Sequence, residues 1–168
     1  MQKDYRLDLK KTHPVRGIIQ IGIGKLITQH SDSEKKIIED ATYVLSMVTG
    51  QKPKIVKAKK SISGFKLRQG MPVAVLVTLR KKRLLDFIKR LIIYALPRTK
   101  DFYGLNKNNF DNKGNINLGL KDLNVFPEIV SDKIKYSFGA HINLVGSGKT
   151  KEDNIKMWQE LGFPVSKK

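Results

Sequence analysis

The order of patterns along this chain predicts an α+β fold: a mainly antiparallel sheet with helices packed on one face and an extended basic loop. Three observations carry the prediction. Segments with strand and helix periods follow one another as strand, helix, strand, strand, helix, further strands and a last helix, an order that packs most simply as helices gathered on one side of a sheet. The strand pattern at 72–80 has one heavy and one light face, so the sheet's other side is left open. Finally, a long cationic stretch separates two strand patterns and reads as a hairpin-like excursion.

Taken in order, "VRGIIQIGIG" (15–24) is β-branched and broken by glycine, so it reads as a strand in which Gly22 and Gly24 permit a close backbone approach or a sharp turn. Ser31 with Glu34 three residues on has the spacing of a capping box, which ties orphan N–H groups at a helix start. The helix that follows carries Ile37, Ile38, Ala41, Leu45 and Val48 at steps of three and four, and Gly50 stands where a left-handed C-cap is expected. "PKIVKAK" (53–59) is a second strand and "PVAVLVTLR" (72–80) a third. In the third, Val73, Val75, Val77 and Leu79 face the core, while Ala74, Leu76 and Thr78 form a lighter face shared with Arg80.

"KKRLLDFIKRLIIYALP" repeats apolar residues at Leu84, Phe87, Ile88, Leu91, Ile92 and Ala95 and stops at Pro97, which predicts a helix with one buried face. The asparagine- and glycine-rich run 102–115 is a loop. Strands at 116–120 and 141–146 precede a final helix, capped by Thr150 with Asp153 and closed by Gly162 after Leu161. With no internal repeat and no linker, residues 1–168 read as a single domain, with 1–14 as an N-terminal extension and 57–71 as the extended basic loop. A chain of this length buries enough surface to hold a core without staples.

Composition narrows the function. The 33 basic residues outnumber 15 acidic ones, leaving a formal charge of +18 that repels itself unless a polyanion neutralises it. No cysteine is present, and His13, His30 and His141 lie far apart without ligand spacing, so no metal or other cofactor is expected. The longest apolar run, "LIIYAL", is far short of a membrane span, and no membrane insertion is expected. The opening 17 residues lack the apolar run of a secretory signal, and Asp4 and Asp8 are out of place in a transit peptide. Lysine supplies 26 of the 33 cations, a bias that fits an AT-rich genome of an organelle or a reduced bacterium.

The charge is concentrated. No carboxylate occurs between Asp40 and Asp86, while eleven lysines and arginines fall inside that window. Within it, "KAKKSISGFKLRQG" (57–70) adds glycines that let backbone approach a polyanion and a phenylalanine that offers a ring for stacking. A charge run is often no more than a solvated face. Here its length, with the interleaved glycines and Phe65, points to nucleic acid instead.

Two short motifs are decoys. "GSGKT" (146–150) has the tail of a phosphate-binding loop, but Asn143 holds the position of that motif's first glycine, so a turn into a capped helix is the better reading. "GIG" (22–24) begins like a dinucleotide fingerprint, yet Ile27 holds the third glycine's place. No serine sits in a nucleophile-elbow motif, and no carboxylate pair has an active-site spacing, so no enzyme is expected.

The run "GQKPKIVKAKKSISGFKLRQGMPVAVLVTLR" (50–80) closely resembles the signature region of the universal ribosomal protein number five of the large subunit, in its bacterial or organellar form. "IIQIGIG", "LPRTKDFYGLNKNNFDNKGNINLGL", "FPEI" and the closing "GFP" fall in that family's order, so the resemblance covers nearly everything from Val15 onward. It implies a structural constituent of the large subunit that binds 5S rRNA in the central protuberance and meets large-subunit rRNA, peptidyl-site tRNA and neighbouring ribosomal proteins. By position, the resemblance assigns 5S contact to Gln51, Lys52 and Pro53 of the Gly-Gln-Lys-Pro turn, with Thr78 and Arg80. Gln20 stands where the family usually has asparagine, and its longer side chain changes the geometry of that contact. It assigns tRNA contact to Lys57, Lys59, Lys60, Ser61, Gly64, Phe65, Lys66 and Arg68, on a finger expected to be loose until the ribosome orders it. A start shorter than the bacterial pattern, the lysine bias and the lack of an import signal together point to the mitochondrial matrix, with the bacterial cytoplasm or a plastid as alternatives. The rival readings of function are a basic enzyme that processes nucleic acid and an extraribosomal RNA-binding protein.

Overall fold

A computed structural model of the chain describes residues 12–100, 102–129 and 134–165. Strands β1 (Pro14–Gly22), β2 (Lys54–Lys57), β3 (Pro72–Arg80), β4 (Ile116–Leu120) and β5 (Ala140–Gly146) form a five-stranded sheet in the order β2-β3-β1-β5-β4. The sheet is antiparallel with helices packed against it, so the predicted α+β class holds. Contacts gather the chain into two compact units. Of the described residues, one takes those up to Gly17, those of Leu79–Leu118 and those from Ile142; the other takes those of Ile18–Thr78 and Gly119–His141.

In the second unit, β1 leads into a short helix that the sequence reading missed, α1 (Gly24–Gln29). At six residues it is too short to display a helical period, and its glycine start disguised it as the end of a strand. Gly22 and Gly24 mark this turn from strand to helix, but neither is a close approach: a Cβ on Gly22 would meet nothing within 4 Å, and on Gly24 would lie 3.7 Å from Val73.

A 3-10 turn, Ser31–Ser33, then precedes α2 (Glu34–Thr49). This turn overturns the capping box expected of Ser31 and Glu34. The helix starts two residues later, Glu34 becomes its first residue rather than its third, and the actual N-cap, Ser33, makes no side-chain cap bond. The face of α2 is as expected, with Ile37, Ala41, Leu45 and Val48 buried, although Ile38 is only half-buried. Gly50 closes it in the left-handed region (φ 64°), donating its N–H to Ser46 O at 2.8 Å.

In the first unit the predicted helix 81–97 has three parts: α3 (Lys81–Arg90), a π-helical turn Leu91–Ala95, and α4 (Leu96–Arg98). Leu84, Phe87, Ile88, Leu91 and Ala95 are buried as their spacing requires. The helix does not stop before Pro97 but carries it inside α4, and the chain leaves the helix after Arg98. Gly17 sits against the side chain of this helix: an added Cβ there would come within 2.6 Å of Leu84 Cδ1.

The last helix, α5 (Lys151–Glu160), has the cap its sequence predicts: Thr150 Oγ1 accepts from Asp153 N–H at 3.2 Å and Asp153 Oδ2 accepts from Thr150 N–H at 3.3 Å. The "GSGKT" stretch is the turn before it. There Gly148 donates its N–H to the buried Asn154 Oδ1 at 2.8 Å, so this backbone is spent on the protein itself. Asn154 also donates to Lys113 O at 2.6 Å, and Trp158, fully buried, donates to Gly114 O at 3.0 Å. Of the expected N-terminal extension, residues 1–11 lie outside the described residues, and Pro14 already belongs to β1. His13 is tied down, donating to Ser147 Oγ at 2.9 Å.

Candidate nucleic-acid interface

The light face of β3 forms as its alternation predicts. Val75, Val77 and Leu79 are buried, Leu76 and Thr78 half-buried, and Arg80 exposed at the strand's end. Two positions depart from the pattern: Ala74 is buried despite its parity, and Val73 is only half-buried.

Because β2 runs antiparallel to β3 with Lys54 opposite Leu76, the turn entering β2 arrives beside Thr78. That register explains the main polar contact of the predicted set. Gln51, half-buried, donates from Nε2 to Thr78 O at 3.4 Å, a long bond. Behind it, the buried Thr49 Oγ1 donates to Leu45 O at 2.6 Å and lies 3.3 Å from Gln51 O, fixing the turn to the end of α2. Lys52 is exposed and Pro53 half-buried. Gln20 lies half-buried in β1, the strand next to β3. Gln51 and Thr78 are therefore brought together, while Arg80 stands two residues further along β3 as the N-cap of α3.

The excursion 57–70 forms a hairpin with backbone pairs of its own. After a register shift between Val56 and Lys57, the ladder continues through Ala58, whose N–H donates to Met71 O at 2.8 Å and whose O accepts from Gly70 N–H at 2.9 Å. Ser61 Oγ accepts from Gln69 N–H at 2.9 Å, and Ile62 and Leu67 exchange both backbone bonds, at 3.0 and 3.1 Å. A 3-10 turn, Ser63–Phe65, and Lys66 in the left-handed region (φ 52°) close the tip. Backbone groups paired in this way have their hydrogen bonds satisfied within the hairpin.

On this hairpin Lys57, Lys59, Lys60, Ser61, Gly64, Lys66 and Arg68 are all exposed. Phe65 is 71% exposed, an unusual state for a large aromatic ring, and it borders a groove with Leu67, Val73 and Lys25.

A further cationic group went unassigned. Arg80 is followed by Lys81 in the left-handed region (φ 52°) and by exposed Lys82 and Arg83, with no acid in the first turn of α3. The signal was present in the sequence, since a helix opening on "KKR" without a capping residue opposes its own dipole. Farther along the sheet, Asn143 Nδ2 donates to Asn117 Oδ1. Asn115 donates to both oxygens of Asp111; burial raises the pKa of that carboxylate, but the Asn115 and Lys113 hydrogen bonds prevail and hold it below its ordinary value.

Residues 72–165 match the C-terminal part of the ribosomal L5 family, and residues 19–68 match the part described as ribosomal protein L5. The chain belongs to the ribosomal L5 family. It is 46% identical over 150 residues to the large ribosomal subunit protein uL5 of Fusobacterium nucleatum, covering 89% of this chain and 79% of that one. Identity is 42% over 155 residues to the uL5 protein of Trichodesmium erythraeum, with 92% and 85% covered, and 45% over 150 residues to that of Thermus aquaticus, with 89% and 80% covered.

This L5-family chain is thus a structural, non-enzymatic constituent of the large ribosomal subunit, with ribosomal RNA and ribosomal proteins as its partners. The nucleic-acid-processing enzyme is set aside on that ground. These relatives are bacterial, so the expected mitochondrial matrix draws no support from them, whereas the ribosome does. Among the described residues no helix is long and apolar enough to cross a membrane.

Proposed function

We propose that this chain holds 5S rRNA through the turn at residues 50–53 and the light face of β3, and that its basic hairpin contacts peptidyl-site tRNA. The observation that carries the reading is the contrast between the two surfaces. Gln51 is anchored against Thr78 O by a side-chain bond, a pre-set shape suited to a folded RNA loop, whereas the hairpin offers exposed cations on a self-supporting backbone. Gln20, Lys52, Pro53 and Arg80 complete the first surface. On the second, Lys57, Lys59, Lys60, Lys66 and Arg68 release counterions from phosphates, and Ser61, Gly64 and Phe65 shape the tip.

The test is binding of purified protein to 5S rRNA and to tRNA. Arg80→Ala weakens 5S binding by about 1–3 kcal/mol, the range of a good bidentate contact. Deletion of residues 60–67 leaves 5S affinity near wild type and impairs tRNA contact in reconstituted large subunits. A deletion that abolished 5S binding, beside an Arg80→Ala variant that bound normally, would reverse this division of labour. An extraribosomal role is the alternative, and a chain that failed to sediment with large subunits would favour it. The lysine-rich composition leaves an organelle and a bacterium both consistent with this reading.

A further inference from the structure

We propose that the cleft between the basic hairpin and the start of α2 receives one RNA nucleotide extruded from its stack, and that it selects guanine. The inference deepens the RNA-binding reading above and rests on it. The cleft has a volume of about 500 Å³, within the range of small-ligand sites. Its walls differ in chemistry. Lys66 and Arg68, from the returning arm of the hairpin, supply positive charge on one side. Met71 and Pro72, both half-buried, give an apolar surface against which a flat ring packs. From the first turn of α2 comes Glu34, the one carboxylate among the described residues that line the cleft.

This combination discriminates among ligands. A free phosphate uses the two cations but neither the apolar wall nor the carboxylate, and an acidic peptide is repelled by Glu34. A nucleotide uses all three: its phosphate meets Lys66 and Arg68, its ring lies on Met71 and Pro72, and its base edge faces Glu34. Only guanine presents two adjacent N–H donors, N1–H and the N2 amino group, to one carboxylate; adenine, cytosine and uracil present one donor group each. The edge and face of a base are both accessible only when it is unstacked, which is how RNA loops offer bases to proteins. The left-handed Gly70 (φ 86°), where a Cβ would meet nothing within 4 Å, leaves the backbone at this cleft open to close approach.

The experiment is a titration of the isotopically labelled full chain with guanosine 5′-monophosphate, inosine 5′-monophosphate and cytidine 5′-monophosphate, followed by backbone amide NMR. The amides of Gln69, Gly70 and Met71 should shift with the guanine nucleotide, which binds about tenfold tighter than the inosine nucleotide lacking the N2 amino group. Glu34→Gln should erase that tenfold difference while leaving the circular dichroism melt intact. In parallel, both proteins are photocrosslinked to 5S rRNA and to tRNA, and the RNA attached to the peptide containing Met71 identifies the source of the guanine. If wild type binds 5S rRNA or tRNA but guanosine monophosphate leaves the cleft amides unmoved, or Glu34→Gln keeps the preference, the cleft assignment falls and the RNA-binding reading stands. If wild type binds neither RNA nor nucleotide, both fall.

Discussion

Replacing Lys57, Lys59 and Lys60 together with alanine tests whether the hairpin works as a set of phosphate contacts. All three side chains are exposed, and the hairpin closes through Ile62–Leu67 pairing and the Ser61–Gln69 bond rather than through any of them. The fold should therefore be unchanged in circular dichroism and melting temperature. Each lysine that neutralises one phosphate contributes about 0.7 to 0.9 to the slope of log affinity against log salt. Three lost contacts flatten the slope for tRNA by roughly 2.1 to 2.7, so a fourfold rise in salt costs the wild type roughly 20- to 40-fold more affinity than the variant. The assay is filter binding to tRNA and to 5S rRNA at four salt concentrations. An unchanged tRNA slope, or an equal flattening for 5S rRNA, would refute the assignment of separate RNA partners to hairpin and turn.

Three further outcomes probe the scaffold. Gly17→Val, which forces a side chain into the 2.6 Å contact with Leu84, should lower stability by about 1–3 kcal/mol in urea unfolding, because overpacking is relieved only by shifting neighbours. Asn154→Ala leaves the Gly148 N–H and the Lys113 carbonyl without their buried partner and should cost about 1–3 kcal/mol, read from the same unfolding curves. The hydrogen bonds from Thr150 hold the Asp153 carboxyl below its ordinary 3.8. Its folded pKa is thus the lower one, so its contribution is fully present above 3.8 and fades as pH falls through the folded value; Thr150→Val, which keeps the backbone N–H donor but loses the hydroxyl, should reduce that acid-side dependence, measured as melting temperature against pH.

Most of the fold was legible because its signals were local. The full β3, the buried stripes of α2 and α3, the Gly50 stop and the Thr150 cap all follow from patterns read within a few residues of themselves. What the sequence hid depended on neighbours. Gly17 looks no different from Gly22 until the side chain of Leu84 is placed against it. Helix α1 has too few residues for a period, and the 3-10 turn at Ser31 shifts the start of α2 without changing any residue type. The site divides the same way. Residue types and family resemblance picked out Gln51 and Thr78, but their contact is set by the β2–β3 register. The cationic stretch between two strand patterns marked the hairpin, but its Ile62–Leu67 and Ser61–Gln69 pairs depend on backbone register that no residue type announces. The mixed chemistry of the Glu34 cleft joins residues far apart along the chain, which no linear motif reveals.

The placement of charge is the stronger argument for a polyanionic partner than its total. A cation in the first turn of a helix opposes the dipole by about 0.3–1 kcal/mol, and Lys81 adds about 1–2 kcal/mol for its left-handed backbone. Acids at these positions would remove the first cost, and glycine the second. Instead α3 opens on Arg80, Lys81, Lys82 and Arg83 with no acid in its first turn. Burying Leu84, Phe87 and Ile88 contributes about 1.5–3 kcal/mol each, so the helix forms in spite of its start. Folding tolerates this arrangement without requiring it, so the reason for it lies outside the chain. Phosphates of a polyanionic partner would relieve that repulsion, and the basic opening of α3 offers them charges that no first-turn carboxylate offsets.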